Sequence, residues 1–166
     1  MIASSGSAGV RSNADALRSV IVRPLVTGDR ERWLVMWDGY NAFYERPSFS
    51  PELTDVLWAR LFDASEPMHG LVAELDGRVV GLTHYLFHRS TTMIAHACYL
   101  QDLFTDALVR GRGVGRALIE GVYAAAREAG SSRVYWQTHE TNATAMKLYD
   151  RIAERSGFLV YRKNLD

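Results

Sequence analysis

The spacing of apolar residues changes period along the chain, and each period predicts an element. Val20, Ile21 and Val22, stopped by Pro24, predict a short first strand. Thr27-Gly28-Asp29 punctuates the chain, with Asp29 placed to cap a helix. Over residues 30–43, Trp33, Leu34, Trp37, Tyr40 and Phe43 recur at three- and four-residue steps, which is a helical period. Pro47 and Pro51 interrupt it. Residues 52–62 then carry a second helical stripe through Leu53, Val56, Leu57, Leu61 and Phe62. Residues 70–75 and 79–87 read as strands joined by a tight turn at Asp76-Gly77, and 95–105 as a further strand. Val114, Leu118, Ile119, Val122, Tyr123 and Ala126 mark a long amphipathic helix ending at Gly130. Residues 134–138 predict a strand. Residues 142–155 predict a helix with Ala145, Leu148, Tyr149, Ile152 and Ala153 on one side, stopped by Gly157, and 158–162 predict a last strand. Antiparallel hairpins come first and βα units later, which argues an α/β (α+β) fold with helices on the faces of a mixed sheet. Residues 1–19 are expected to form a flexible tail before a single domain over 20–166. Met1 to Gly9 lack the apolar stretch of a secretory signal.

Composition narrows the function classes. Nineteen Lys and Arg balance nineteen Asp and Glu, so there is no basic field for nucleic acid or an anionic membrane. Cys98 is the only cysteine in the sequence, which excludes a disulfide within it or a cysteine-built zinc site and fits a reducing, cytoplasmic compartment. Cys98 itself reads as a buried strand residue. No apolar run is long enough to span a bilayer. His84, His88 and His96 fall on adjacent predicted strands, but no acidic residue repeats at ligand spacing. They read as structural histidines, and no metal is expected.

The chemistry concentrates in Arg110-Gly111-Arg112-Gly113-Val114-Gly115-Arg116, between a predicted strand and a predicted helix. The first amides of a helix lack intrahelical partners and carry partial positive charge, so they favour a phosphate. Glycine lets backbone approach the ligand, and Arg110, Arg112 and Arg116 add charge. A P-loop would need Gly-Lys-Ser/Thr where Arg116-Ala117 follow. A dinucleotide fingerprint would need G-x-G-x-x-G where the spacing here is G-x-G-x-G. The acyl-CoA loop, Gln/Arg-x-x-Gly-x-Gly/Ala, is met by Arg110, Gly113 and Gly115.

With that loop, the sequence resembles the GNAT superfamily of acyl-CoA N-acyltransferases from about Val20 to Arg162. Tyr99-Leu100-Gln101-Asp102-Leu103-Phe104-Thr105 looks like the family's fourth strand. Asn142-Ala143-Thr144-Ala145-Met146-Lys147-Leu148-Tyr149 looks like its second cofactor motif, and Gly157-Phe158 like its closing pair. Trp136 to Asn142, the longer run from Tyr149 to Gly157, and Tyr161-Arg162 are similar to a subgroup containing fungal histone/polyamine acetyltransferases and bacterial relatives. The resemblance implies a sheet of about six to seven strands flanked by about four helices, with the fourth and fifth strands splayed apart. It implies acetyl-CoA as co-substrate, no metal, and direct transfer to a primary amine in a ternary complex. It also allows a homodimer.

The same resemblance implies roles. Backbone groups of Leu103 and Thr105 would pair with the pantetheine arm, and the amide of Leu103 or Phe104 would polarise the thioester carbonyl. Residues 110–116, including Gly111 and Val114, would hold the pyrophosphate. Asn142 would bond the pantetheine arm or cap its helix. Tyr149 would be the acid for the departing thiolate. Tyr40, Tyr44 and Glu45 would line the acceptor site. The base is less specified. Polyamine-acetylating relatives carry glutamate where this chain has Gln101. Asp102 is acidic but should face away from Gln101 on an alternating strand unless a β-bulge intervenes. His139, Glu140, or a water held by Tyr99 and Gln101 are the other candidates, and a water relay oriented by Gln101 is the expectation. The scattered carboxylates suit a small amine or amino acid better than a polyamine or a histone lysine. The missing glutamate leaves a second reading, a non-catalytic acyl-CoA sensor or assembly partner, which Tyr149 opposes.

Overall fold

The computed structural model describes residues 19–46 and 50–165. The expected tail, apart from Ser19, and the helix-breaking Pro47 lie outside the described residues. The chain divides into two units, one running to Trp136 and one starting at Gln137.

The first unit is built on one sheet. Its strands are β1 (Ile21–Pro24), β2 (Met68–Leu75), β3 (Arg78–His88), β4 (Ala97–Thr105) and β5 (Val134–Tyr135), in spatial order β1-β2-β3-β4-β5. All neighbours are antiparallel except β4 and β5, which are parallel. Gly77, at φ 73°, makes the tight turn between β2 and β3. β3 is buried from Val79 to Tyr85 on both faces, which fits its near-continuous apolar run.

One face carries α1 (Arg30–Phe43) and α2 (Pro51–Arg60). The α1 stripe places Trp33, Met36, Trp37 and Tyr40 in a core with Leu25, Val72 and Leu82. Asp29 sits at the helix start, and its carboxylate is gripped by both terminal nitrogens of Arg23, at 2.7 and 2.8 Å. Ser50 caps α2 by accepting from the Leu53 amide. The other face carries α3 (Val114–Glu128), which buries Val114, Leu118, Ile119, Val122 and Ala126. Gly121 brings this helix close to the sheet: a Cβ there would stand 2.8 Å from Val22 and 3.1 Å from Leu71.

The second unit contains α4 (Ala143–Ile152). Asn142 caps it by accepting from the Ala145 amide at 3.4 Å and donates to Thr138 Oγ1 at 3.2 Å. Ala153 turns extended, at φ −150°, so the helix ends before the predicted Arg155.

Two expectations change. β5 is two residues long where five were expected, and 158–162 form no strand. Among the described residues the sheet therefore has five strands, below the expected six to seven. Phe158, Leu159, Val160 and Tyr161 have strand-forming composition, yet they are 65–91% exposed. Composition makes a strand only where a neighbour takes up its backbone hydrogen bonds.

Candidate active site

Three parts of the first unit carry chemistry. The first is the turn into α3. After a 3-10 turn at Ala107–Val109, Gly111 (φ 80°) and Gly113 (φ 82°) adopt left-handed conformations, and Gly113 is the residue before the helix. A Cβ at either position would meet nothing within 4 Å, so glycine is required there by conformation and not by crowding. The first intrahelical bond is donated by the Ala117 amide to Gly113 O at 2.9 Å. The amides of Val114, Gly115 and Arg116 thus have no acceptor within the helix. Arg110 and Arg112 are exposed, and Arg116 pairs with Glu120 at 2.7 Å on the helix surface.

The second part is the free side of β4. The β4–β5 ladder covers only Cys98 and Tyr99, after which β4 runs on to Thr105. This is the expected splay. The amide of Asp106 donates to Val80 O at 2.8 Å, which fixes the alternation across β3 and β4. Phe104 and Asp102 then address β3, and Leu103 and Thr105 turn their amides and carbonyls to the opposite edge.

The third part surrounds Asp102. The register jumps between His84/Tyr85 and Asp102/Leu100, so Gln101 is the unpaired residue of a β-bulge. The bulge does not unite Gln101 with Asp102: Gln101 is exposed and Asp102 is buried at 6% exposure. Asp102 lies on the α1 face. Its Oδ2 is 3.0 Å from Nδ1 of His84, and Trp33 Nε1 donates to His84 Nε2 at 2.9 Å. Tyr40 also feels Asp102: burial first, then that carboxylate, push its phenol far above its ordinary pKa. Burial also raises Tyr44 and Tyr99, both of which feel the Asp102 charge. The Tyr40 and Tyr44 rings meet at 5.1 Å, and the Arg46 guanidinium lies 5.3 and 5.2 Å from their centres. Glu45, left-handed at φ 50°, is exposed, and among the described residues no ion pair joins it to the cluster.

The structure thus gathers Tyr40, Tyr44 and Asp102. Asn142 and Tyr149 belong to the second unit, where Asn142 is a helix cap and Tyr149 lies half-buried within α4. His139 accepts from the Thr141 amide at 3.3 Å and lies 2.8 Å from its hydroxyl oxygen. Sequence reasoning passed over His84 and Trp33 as structural. The available signal was a histidine inside a strand whose neighbours Val80, Leu82 and Tyr85 are apolar, because a buried polar ring needs partners. No group of three or more metal-ligating side chains occurs among the described residues. No helix among them is long and apolar enough to cross a membrane.

Comparison with known proteins agrees with this fold. Residues 33–153 match the model of the acetyltransferase (GNAT) family. A D-amino-acid N-acetyltransferase of Saccharomyces cerevisiae is 32% identical over 147 residues, 87% of this chain and 91% of the yeast protein. An aminoglycoside acetyltransferase from an uncultured soil metagenomic sample, in complex with sisomicin, superposes with a TM-score of 0.74 at 19% identity, over 92% of this chain and 100% of that one. AAC(6')-Iy in complex with the bisubstrate analog CoA-S-monomethyl-acetylneamine gives 0.75 at 17% identity, over 89% and 99%.

Proposed function

Because the chain belongs to the GNAT acetyltransferase family and is an N-acetyltransferase, we propose that it moves the acetyl group of acetyl-CoA to the primary amine of a small molecule, an amino acid above all. The observation that carries the acceptor reading is the charge layout on the α1 face. A buried carboxylate, Asp102, lies behind the rings of Tyr40 and Tyr44, and a cation, Arg46, lies over them. An amino acid brings an amine for the first and a carboxylate for the second. The yeast relative's D-amino-acid activity supports the same class.

The residues fit acetyl-CoA. Left-handed Gly111 and Gly113 and the unpartnered amides at the start of α3 suit a pyrophosphate. The outward backbone groups of Leu103 and Thr105 suit the amides of a pantetheine arm. Of the two amides considered for the thioester carbonyl, Leu103 is favoured, since Phe104 addresses β3. Once bound, the co-substrate supplies an acetyl thioester. Asp102 acts as base through Tyr40: the phenol oxygen takes a proton from the acceptor amine while its own proton passes to the carboxylate. By the family resemblance, Tyr149 is the acid that would return a proton to the leaving sulfur. Gln101, exposed on β4, orients acceptor or water.

The reading is tested by following CoA thiol release across a panel of D- and L-amino acids, polyamines and lysine peptides. Amino acids should give the highest kcat/KM. Faster turnover of a polyamine or lysine peptide than of every amino acid would overturn the acceptor class.

A further inference from the structure

The α1 face holds a polar chain that the proposed chemistry leaves without a task. Trp33, His84 and Asp102 are all buried and joined at 2.9 and 3.0 Å. An indole nitrogen only donates, so Nε2 of His84 must accept and the single ring proton stands on Nδ1, aimed at the carboxylate. Protonating the ring would set two N–H groups against each other across 2.9 Å. Among the described residues, Asp102 is the only charged group within ion-pair distance of the ring. Helix α1 presents the Trp33 and Trp37 rings, with Tyr40 and, just beyond its end, Tyr44 near the carboxylate. Strand β4 adds Tyr99, which also feels Asp102. Strand β2 presents Gly70, directly opposite His84 in the ladder.

We infer that His84 and Trp33 are positioning residues for Asp102, forming a donor chain closed at its far end. This rests on the reading of Asp102 as the base. The Trp33 N–H fixes the His84 tautomer. The tautomer presents a donor to one carboxylate oxygen, and that bond aims the other lone pairs at Tyr40. The chain cannot conduct, because the indole neither takes up nor gives away a proton at ordinary pH. A proton received by Asp102 leaves by way of Tyr40 and never enters the core. The pair therefore differs from a histidine base held by an aspartate: here the histidine does the holding.

Nitrogen-15 NMR of the histidine rings in the whole protein reads the tautomer directly, with His84→Asn assigning the resonance. His84 should carry its proton on Nδ1 in the unmodified protein. Trp33→Phe keeps an aromatic ring and removes the donor. In that variant Nε2 loses its donor, and its nitrogen-15 resonance should move downfield, to that of an imine nitrogen without a hydrogen bond. His84→Leu should lower kcat by about tenfold or more with little change in acceptor KM, and His84→Asn, with an amide donor near the Nδ1 position, should recover most of it. A His84 that carries its proton on Nε2 in the unmodified protein overturns the inference. So does a His84→Leu variant equal to His84→Asn, or a Trp33→Phe spectrum in which the Nε2 resonance does not move. Full activity in Asp102→Asn, alongside the expected spectra, instead overturns the base reading and removes any catalytic part for the chain.

Discussion

Replacing Asp102 by Asn is the most informative single perturbation, because stability and catalysis should respond by different amounts. The amide keeps the carboxylate's shape and its acceptor oxygen, so His84 Nδ1–H retains a partner. The His84 bond falls from the class made to a charged group, about 1.5–3 kcal/mol, to the neutral class of about 0.5–1.5. The loss is roughly 1 kcal/mol, offset because Asp102, only 6% exposed, no longer buries a charge. The net change should stay within about 2 kcal/mol, a shift in Tm of roughly 4–8 °C at most for a chain of this size. Removing a general base costs about 100- to 10,000-fold in rate. Calorimetry and thiol-release kinetics on the same preparation separate the two. A variant that melts within that range and has lost at least about 100-fold in kcat agrees with the assignment. One that keeps kcat within about threefold of the parent refutes it, and the expected water relay oriented by Gln101 would then have to supply the base.

Further outcomes follow from other parts of the fold. Gly113→Ala should cost about 1–2 kcal/mol through its left-handed φ alone, and it should weaken CoA binding measured by calorimetry well beyond the effect on Tm. Gly81→Ala provides the contrast: a Cβ there would lie 2.9 Å from the Phe104 carbonyl, so folding should suffer more. Cys98 is fully buried and its thiol is pushed up to about 11, so iodoacetamide should label it only after denaturation. The Arg23 hydrogen bonds hold the Asp29 carboxylate below the usual range. Their contribution is full above the ordinary carboxylate value of about 4 and is lost as pH falls through the lowered one. Asp29→Asn should therefore cost about 1–3 kcal/mol near neutrality and give a flatter urea midpoint as pH falls below about 4.

The sheet, the helices and the glycine turn could be read from local pattern, because each follows from near neighbours: the α1 stripe from Trp33 to Tyr40, or left-handed glycines before a helix. The cluster at Asp102 was less legible. Its parts come from α1, β3 and β4, separated by up to 69 positions between Trp33 and Asp102, and only the register at the Gln101 bulge brings His84 opposite Asp102. The strand expected at 158–162 shows the reverse case. Its residues favour extended pairing, but among the described residues none of them joins a ladder, so local preference alone made no strand.

The early end of the β4–β5 ladder has a consequence for handling as well as for chemistry. A strand that stops pairing partway presents the same unsatisfied groups as a sheet's outer margin, and such margins template association between chains. The groups of Leu103 and Thr105 that suit an extended amide-bearing arm suit a foreign β-strand equally well. A chain purified without CoA should consequently be the more prone to self-associate on warming, and adding CoA should act as a solubility aid as much as a reactant.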